Sequence, residues 1–441
     1  MSAPSPRPSY AAFFRIPHTR HTFTAALIGR LSYGMVSLAM MLSVTEATGS
    51  YAAAGTVMAL FGATSVLLSP ARAALIDRHG PRRALIPMAS LYAVLLAALA
   101  TAAWRPGTPV PALGALAVAA GACTPPLGPT VRALWGEVIE DKRVLQRAYS
   151  LDGIAEEILF VSGPLLVGAV LRFAPPAAAL ALCALLVWAG TLALVLSPAV
   201  AGVRPAVTKP TARPGHRFRG GRALLQPVVV AAGVGLSVGA VELLVMAFAA
   251  QRHHGNDVVA WVLAALSLGS ALGGVLNGAV DWRTPARVRL PLLAGGLGLA
   301  LLGAGLAPGL GTLTVAVACA GFFVAPALTT SYLIADEAAP PGRRTQAGAW
   351  VNTAVNAGSS GGTAGVGLLV GHLPLGLCFA LSGTVAVAAG LLSVRQADPR
   401  PGRARGTRRS VTAYPAAPAD APRSAAATCA APPGPPGTAG P

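Results

Sequence analysis

Apolar residues run along this chain in long blocks, without the strict alternation of half-buried strands or the single apolar stripe of soluble helices. A helix needs roughly 20 predominantly apolar residues to cross a hydrocarbon core. Reading between charges and turn residues gives twelve such blocks, at about 23–44, 52–71, 84–103, 110–131, 148–171, 175–198, 224–249, 257–279, 290–307, 311–334, 346–370 and 374–394. Spans 2, 4 and 11 have the softest ends, because Pro, Gly or a charge interrupts them. The pattern predicts an all-α integral membrane protein of twelve transmembrane helices.

Composition points the same way. Hydrophobic residues make up 54% of the 441 and charged residues 11%, against about 25% charged in a typical soluble protein. So few charges cannot cover a water-soluble surface of this size. The net charge is +18, from 33 Lys and Arg against 15 Asp and Glu. A basic balance elsewhere suggests nucleic acid, but these bases sit in short clusters between apolar blocks. A lipid bilayer, and no nucleic acid, is the expected surrounding.

The bases also set an orientation, because cytoplasmic loops retain Lys and Arg. The odd gaps hold only Arg105, Arg172 and Arg252. The even gaps hold Arg72, Arg78, Arg82 and Arg83, then Lys142, Arg143 and Arg147, then a run from Arg204 to Arg222. This asymmetry predicts a multi-pass plasma-membrane protein with both termini cytoplasmic. The expected layout is a cytoplasmic tail over 1–22, a six-helix bundle over 23–198, a basic cytoplasmic linker over 199–223, a second bundle over 224–394 and a tail over 395–441. The last tail is rich in Ala, Pro, Gly and Arg without an apolar face, which predicts disorder. The first 22 residues carry Arg and Pro but no apolar stretch with a cleavage site, so no removed leader is expected.

The two bundles repeat one another. At a shift of 200, Gly121, Pro126, Thr130, Glu137, Arg143 and Gln146 fall on Gly321, Pro326, Thr330, Glu337, Arg343 and Gln346. Asp77 after span 2 likewise corresponds to Asp281 after span 8. The expectation is two parallel halves related by an axis along the membrane normal.

Several chemistries fall away. A phosphate-binding loop needs Lys directly after Gly, and the two lysines, Lys142 and Lys209, follow Asp141 and Thr208. The seven histidines fall at or between span ends, so no metal site is expected. The five cysteines show no close pairing, and the four within apolar blocks read as packing residues.

One loop is more specific. The segment after span 2, Ala73-Ala74-Leu75-Ile76-Asp77-Arg78-His79-Gly80-Pro81-Arg82-Arg83, resembles the loop signature of the major facilitator superfamily, as does the 6+6 layout over residues 20–395. Ala73 stands where that family usually has Gly, and Pro81 where it often has a base. The resemblance implies the twelve-helix fold of that family, in two pseudo-symmetric halves. It also implies transport of a small molecule by alternating access, with the substrate site between the halves. Asp77, Arg78, Gly80, Arg82 and Arg83 then form a candidate gating loop. Tyr33-Gly34-Met35, Thr48 to Gly55 and Ala148 to Asp152 look like actinobacterial efflux-type members. Gly163 and Pro164 in span 5 match half of a drug–proton antiporter pattern, with Leu159 and Val167 where that pattern has glycine; Pro164 also reads simply as a helix kink.

Charges inside the spans are the next pointers, since each is costly in lipid and needs a partner or a cavity. Arg30 lies in span 1, Asp152, Glu156 and Glu157 in span 5, and Glu242 in span 7. Asp152 and Glu156, four apart, share a helix face, and Arg30 is their expected counter-charge. Glu156 and Glu157 point about 100° apart, so one of them is expected to face the path. Glu242 has no cationic partner in view, which suits a proton carrier. The same charges also read as a static network that fixes helix register. The glycines of span 8 (Gly269, Gly273, Gly274, Gly278) and span 11 (Gly358, Gly361, Gly362, Gly365) allow close, sliding contacts; they read as sites on the interface between halves and equally well as plain close packing. Phe322, Phe323 and Trp350 are candidate substrate-lining residues, and read also as packing or interfacial belt residues.

The expected function is secondary active transport, proton-coupled efflux of a drug or metabolite by a monomer that uses the proton gradient and no cofactor. A uniporter or importer of the same fold is the alternative. From another class, a membrane sensor or enzyme lacks support, since no nucleotide, metal or nucleophile–His signature is present.

Overall fold

The computed structural model describes residues 10–201, 221–253 and 255–397. Most of the expected linker, the first nine residues and the tail from 398 lie outside the described residues. The helices are α1 (Tyr10–Arg15), α2 (Thr19–Thr48), α3 (Tyr51–Leu67), α4 (Ser69–His79), α5 (Pro81–Ala103), α6 (Val110–Cys123), α7 (Leu127–Val138) and α8 (Lys142–Val170). They continue with α9 (Pro176–Leu196), α10 (Pro198–Ala201), α11 (Gly221–Gln251), α12 (Asn256–Ala279), α13 (Ala286–Ala304), α14 (Leu310–Ala338), α15 (Arg344–Leu369) and α16 (Leu375–Ala397).

All twelve apolar blocks are helical, two of them as broken pairs. Among the described residues ten segments are long and apolar enough to cross a membrane, one of them running from Val110 to Val138 through α6 and α7. The bent pair α3 and α4 makes an eleventh, with a 43° angle between its parts. The twelfth is α15, whose Asn, Ser, Thr and Gly content keeps its hydropathy low over 26 residues. Its polar face is turned to use, as the site below shows.

The breaks have local causes. Pro125 and Pro126 interrupt span 4, and Pro125 has no N–H to offer the carbonyl of Gly121 four residues back. Arg72 supplies the missing donor: its guanidinium reaches the Gly121 carbonyl and, from another nitrogen, the Ser65 carbonyl beside the span 2 bend. Arg72 was expected in a loop; it is a buried residue of α4 that holds two broken helices together. Lys142, Arg143 and Arg147, also expected in a gap, belong to the first turns of α8, which starts behind its N-cap Asp141. At the chain start, α1 and the beginning of α2 occupy what was expected to be a tail.

Each half packs on its own apolar core, the first spreading onto the parts of α11, α14 and α15 that meet it. Close backbone contacts knit each half internally. A Cβ on Gly163 would lie 2.3 Å from the Gly34 carbonyl carbon, so span 5 meets span 1 at a glycine pair. The helix α8 runs on through Pro164 to Val170. Of the eight glycines considered for the interface, four work within the second half, and Gly361 and Gly365 have open space around them. Gly269 and Gly273 seat the backbone of α14, while Gly358 and Gly362 seat that of α11. Only Gly274, beside Ile154, and Gly278, beside Ser150 and Tyr10, face the first half.

Candidate functional site

The halves are tied at one end of the bundle, where the α4–α5, α7–α8, α12–α13 and α14–α15 connections carry most of the described bases. We call this the basic end. Asp77, on the last turns of α4, accepts hydrogen bonds from the backbone N–H groups of Thr345 (3.1 Å) and Gln346 (2.8 Å) at the start of α15. A helix N-terminus offers unpaired amides and a positive dipole end, so a carboxylate is well suited to that place. Arg78, Arg82 and Arg83 are exposed around it, and Gly80 takes the positive φ of 83° that lets α5 begin at once. Diagonally across, Asp281 after α12 pairs with Arg147 (2.9 Å) and Arg143 (3.9 Å) of α8. Lys142 bonds Glu337 (2.7 Å) at the rim.

The short helix α1 adds a strap. Phe13 is fully buried against Phe14, Phe23 and Trp135 of the first half, with ring centroids 5.0–5.9 Å apart. At its other end Tyr10 donates its hydroxyl to the Val275 carbonyl of α12 in the second half (2.7 Å). The absence of a side chain on Gly278 leaves room for that hydroxyl.

Deeper in the membrane lies a network of four charges. Arg30 of α2 meets Asp152 at 2.5 Å and Glu156 at 3.2 Å. Arg132 of α7 meets Asp152 at 2.8 Å and also hydrogen-bonds Glu156. Two guanidinium groups thus hold two carboxylates one turn apart on α8, as the i,i+4 spacing predicts. The sequence reading lacked Arg132, because span 4 was taken to stop at its charge. The repeat held the missing signal: the matches at Thr130 and Glu137 bracket Arg132 and place it on Tyr332, a residue of span 10. In the structure these two positions meet, the guanidinium lying 3.9 Å from the ring centroid.

A cavity of about 150 Å³ opens beside the network, between α7 and α8 on one side and α14 and α15 on the other. Arg132, Glu156, Glu157, Tyr149 and Phe160 line it from the first half. Thr329, Tyr332, Asn352 and Asn356 supply polar groups from the second, with Leu328 and Val355 apolar between them. Asp152 is fully enclosed, whereas Glu156 keeps about a third (32%) of its side chain exposed. Glu157 accepts a hydrogen bond from Ser270 of α12 at 3.0 Å. Both glutamates therefore line the cavity, where only one was expected to face inward, because the cavity wraps around more than 100° of α8.

Other candidates lie elsewhere. Phe322 and Phe323 pack edge to face, 5.5 Å apart, with Phe323 against Gly296 of α13 and the Phe322 backbone against Gly273 of α12. Trp350 is 43% exposed. None of the three lines the cavity. Glu242 on α11 is exposed and also off the cavity lining.

Two helical halves tied at one end, with a charged cavity between them, make this a carrier of small solutes across a membrane. The model of the Major Facilitator Superfamily matches the sequence over residues 22–363 and again over 230–430. The chain belongs to the Major Facilitator Superfamily, and is a multi-pass secondary transporter of small molecules, not an enzyme. Solved structures share the fold at low identity. A bacterial homologue of the iron transporter ferroportin in an outward-facing state is 14% identical, with a TM-score of 0.66 over 86% of this chain and 98% of that one. The human organic anion transporter MFSD10 (TETRAN) is 15% identical, with a TM-score of 0.67 over 86% and 99%. The E. coli fucose:proton symporter FucP is 16% identical, with a TM-score of 0.62 over 86% and 99%. No curated protein matches the sequence.

Proposed function

We propose that this transporter exports a small amphipathic drug or metabolite in exchange for protons, as an efflux-type monomer of the plasma membrane. Both termini and the basic end then face the cytoplasm, as the distribution of arginines favours. With that end tied, the cavity belongs to the arrangement that loads or releases at the outer side.

The observation that carries this reading is Arg132. It holds Asp152 and Glu156 of its own half and stacks on Tyr332 of the other. Parting the halves at the basic end withdraws Tyr332 and changes the setting of Arg132. A carboxylate keeps its charge while opposite charges sit within about 4–6 Å, and favours a proton when they withdraw into an apolar site. Glu156, partly open to the cavity, is the member a proton can reach, and Arg30 with Asp152 completes the charge balance. Glu242, unpaired on α11, is the second choice of carrier.

The test is reconstitution into liposomes with an imposed pH gradient and a panel of amphipathic solutes. Solute movement against its own gradient, with protons moving the other way, is expected. Movement with protons in the same direction makes the chain an importer, and movement indifferent to pH makes it a uniporter. Orientation is checked separately in cells: cysteines at Ser50 and Gly311 should label from outside, and at His79 and Ala286 from inside.

A further inference from the structure

The charges around the cavity do not sum to zero. Arg30 and Arg132 are matched by Asp152 and Glu156, pair for pair. Glu157 remains. The neutral hydroxyl of Ser270 donates to it, and the rest of the lining is uncharged: tyrosine, threonine and asparagine with Phe160, Leu328 and Val355. A carboxylate at membrane depth is costly unless something neutralises it, and no Lys or Arg on the helices that line the cavity does so here. The guanidinium of Arg132, which also reaches the cavity, is already committed to two carboxylates and to the Tyr332 ring. An anionic solute would therefore find no free cation and one surplus negative charge.

We propose that Glu157 selects the charge of the substrate, and that the cavity takes a monovalent organic cation. The inference rests on the export reading above and gives it a substrate class. The cationic centre lies at the Glu157 carboxylate, in a cavity whose lining also carries the amide side chains of Asn352 and Asn356. The apolar body lies on Phe160, Leu328 and Val355. A volume of about 150 Å³ suits a head of trimethylammonium size in this arrangement, and a larger body requires further opening of the halves. Ser270 links Glu157 to the second half, so a cation that takes over the carboxylate also loosens one contact between halves. A proton on Glu157 is the competing way to cancel the surplus charge, and would leave the site to neutral solutes.

Equilibrium binding to the purified full-length protein in detergent, without any gradient, separates these outcomes. The probes are phenyltrimethylammonium with its uncharged isostere tert-butylbenzene, and tetraphenylphosphonium with tetraphenylborate, an anion of the same shape. Wild type should bind at least one of the two cations and prefer each cation it binds to its partner. Glu157→Gln should lose about tenfold or more of that affinity, as expected for a charged partner removed from a buried contact. Glu157→Asp should keep the preference for cations. Absence of binding by both cations, equal binding of either isostere, or an unchanged Glu157→Gln would overturn the proposal. Should Glu157→Gln fail to fold, the wild-type preference alone still decides. Failure of proton coupling would appear only in vesicles under a gradient and leaves this binding result untouched.

Discussion

Asp77 and Asp281 end corresponding spans in the two halves, and each reaches across to the helix that starts opposite it. Their partners differ in kind. Asp77 holds two backbone amides of α15, whereas Asp281 holds two arginine side chains of α8. The reason lies in the helix starts. Asp141 caps α8 by accepting the Arg143 N–H (2.8 Å), so its first turn is partly satisfied before Asp281 arrives. At α15 the N-cap position is Arg343, whose side chain makes no cap, and the amides of Thr345 and Gln346 stay open. A repeated slot has thus been filled once by backbone and dipole and once by charge. The two contacts should therefore respond differently to the same substitution.

The largest effect is expected at Asp281. Arg147 is only 3% exposed, and Asp281→Ala leaves that guanidinium buried without its carboxylate. Breaking such a pair costs ~3 kcal/mol, the low end of the range for buried pairs because Asp281 is itself a third exposed. The bases that follow Asp281 in sequence, Arg283 and Arg287, are sparse, and its partners Arg143 and Arg147 arrive instead from α8. A cysteine at Gly153, in a cysteine-free background, should then react about a hundredfold faster with a reagent supplied at the basic end. Adding Arg147→Met should recover most of the change. No recovery would mean that the pair does not hold this end shut.

Asp77→Asn comes next. The amide oxygen still accepts one backbone hydrogen bond, but the charge facing the helix dipole is lost, together about 1–2 kcal/mol. The same cysteine should react roughly tenfold faster, and transport should fall while abundance and insertion stay near normal. Normal transport would reduce the loop to a topology signal. Raising salt sharpens the contrast between the two sites. The exposed Arg143–Asp281 contact weakens by screening, while the amide hydrogen bonds at Asp77 change little.

A smaller effect is expected from Tyr10→Phe, which removes one hydrogen bond between α1 and Val275, worth about 1 kcal/mol. Phe13 and its ring contacts keep the strap on the first half. The cysteine reactivity should rise several-fold; no rise would make α1 a passive cap. The least effect belongs to Lys142→Ala. Its pair with Glu337 is exposed (82% and 46%), and such pairs contribute roughly 0–1 kcal/mol.

Much of this architecture could be read in the sequence, because the membrane imposes one rule on every span. Hydropathy found even α15, whose polar face fails a strict apolar test, as a block at 346–370 with soft ends. What hydropathy could not read was depth and facing. Arg132, Arg72 and Arg147 were treated as ends of apolar runs, although each lies in a helix with its head group paired or hydrogen-bonded inside. Those partners come from helices far off in sequence, and no local pattern announces them. The facing of aromatics was equally hidden: Phe322 and Phe323 lie within span 10, but they pack on each other, and Phe323 on Gly296, away from the cavity lining. Conversely, Asp152 and Glu156 with Arg30 were legible because i,i+4 spacing and the rarity of charge in lipid leave few alternatives. Arg132 went unread, and only its alignment with Tyr332 in the repeat could have drawn attention to it.

Transport against a gradient requires that the network of Arg30, Arg132, Asp152 and Glu156 couple a proton to solute movement. The most direct measurement compares wild type and Glu156→Gln in liposomes, with solute accumulation under a pH gradient read beside solute exchange at uniform pH. Wild type should do both. The variant should lose gradient-driven accumulation yet keep exchange down the solute's own gradient. If Glu156→Gln, and in turn Glu157→Gln and Glu242→Gln, still accumulate solute as wild type does, these carboxylates only hold the helices in register and proton exchange is not this protein's mechanism.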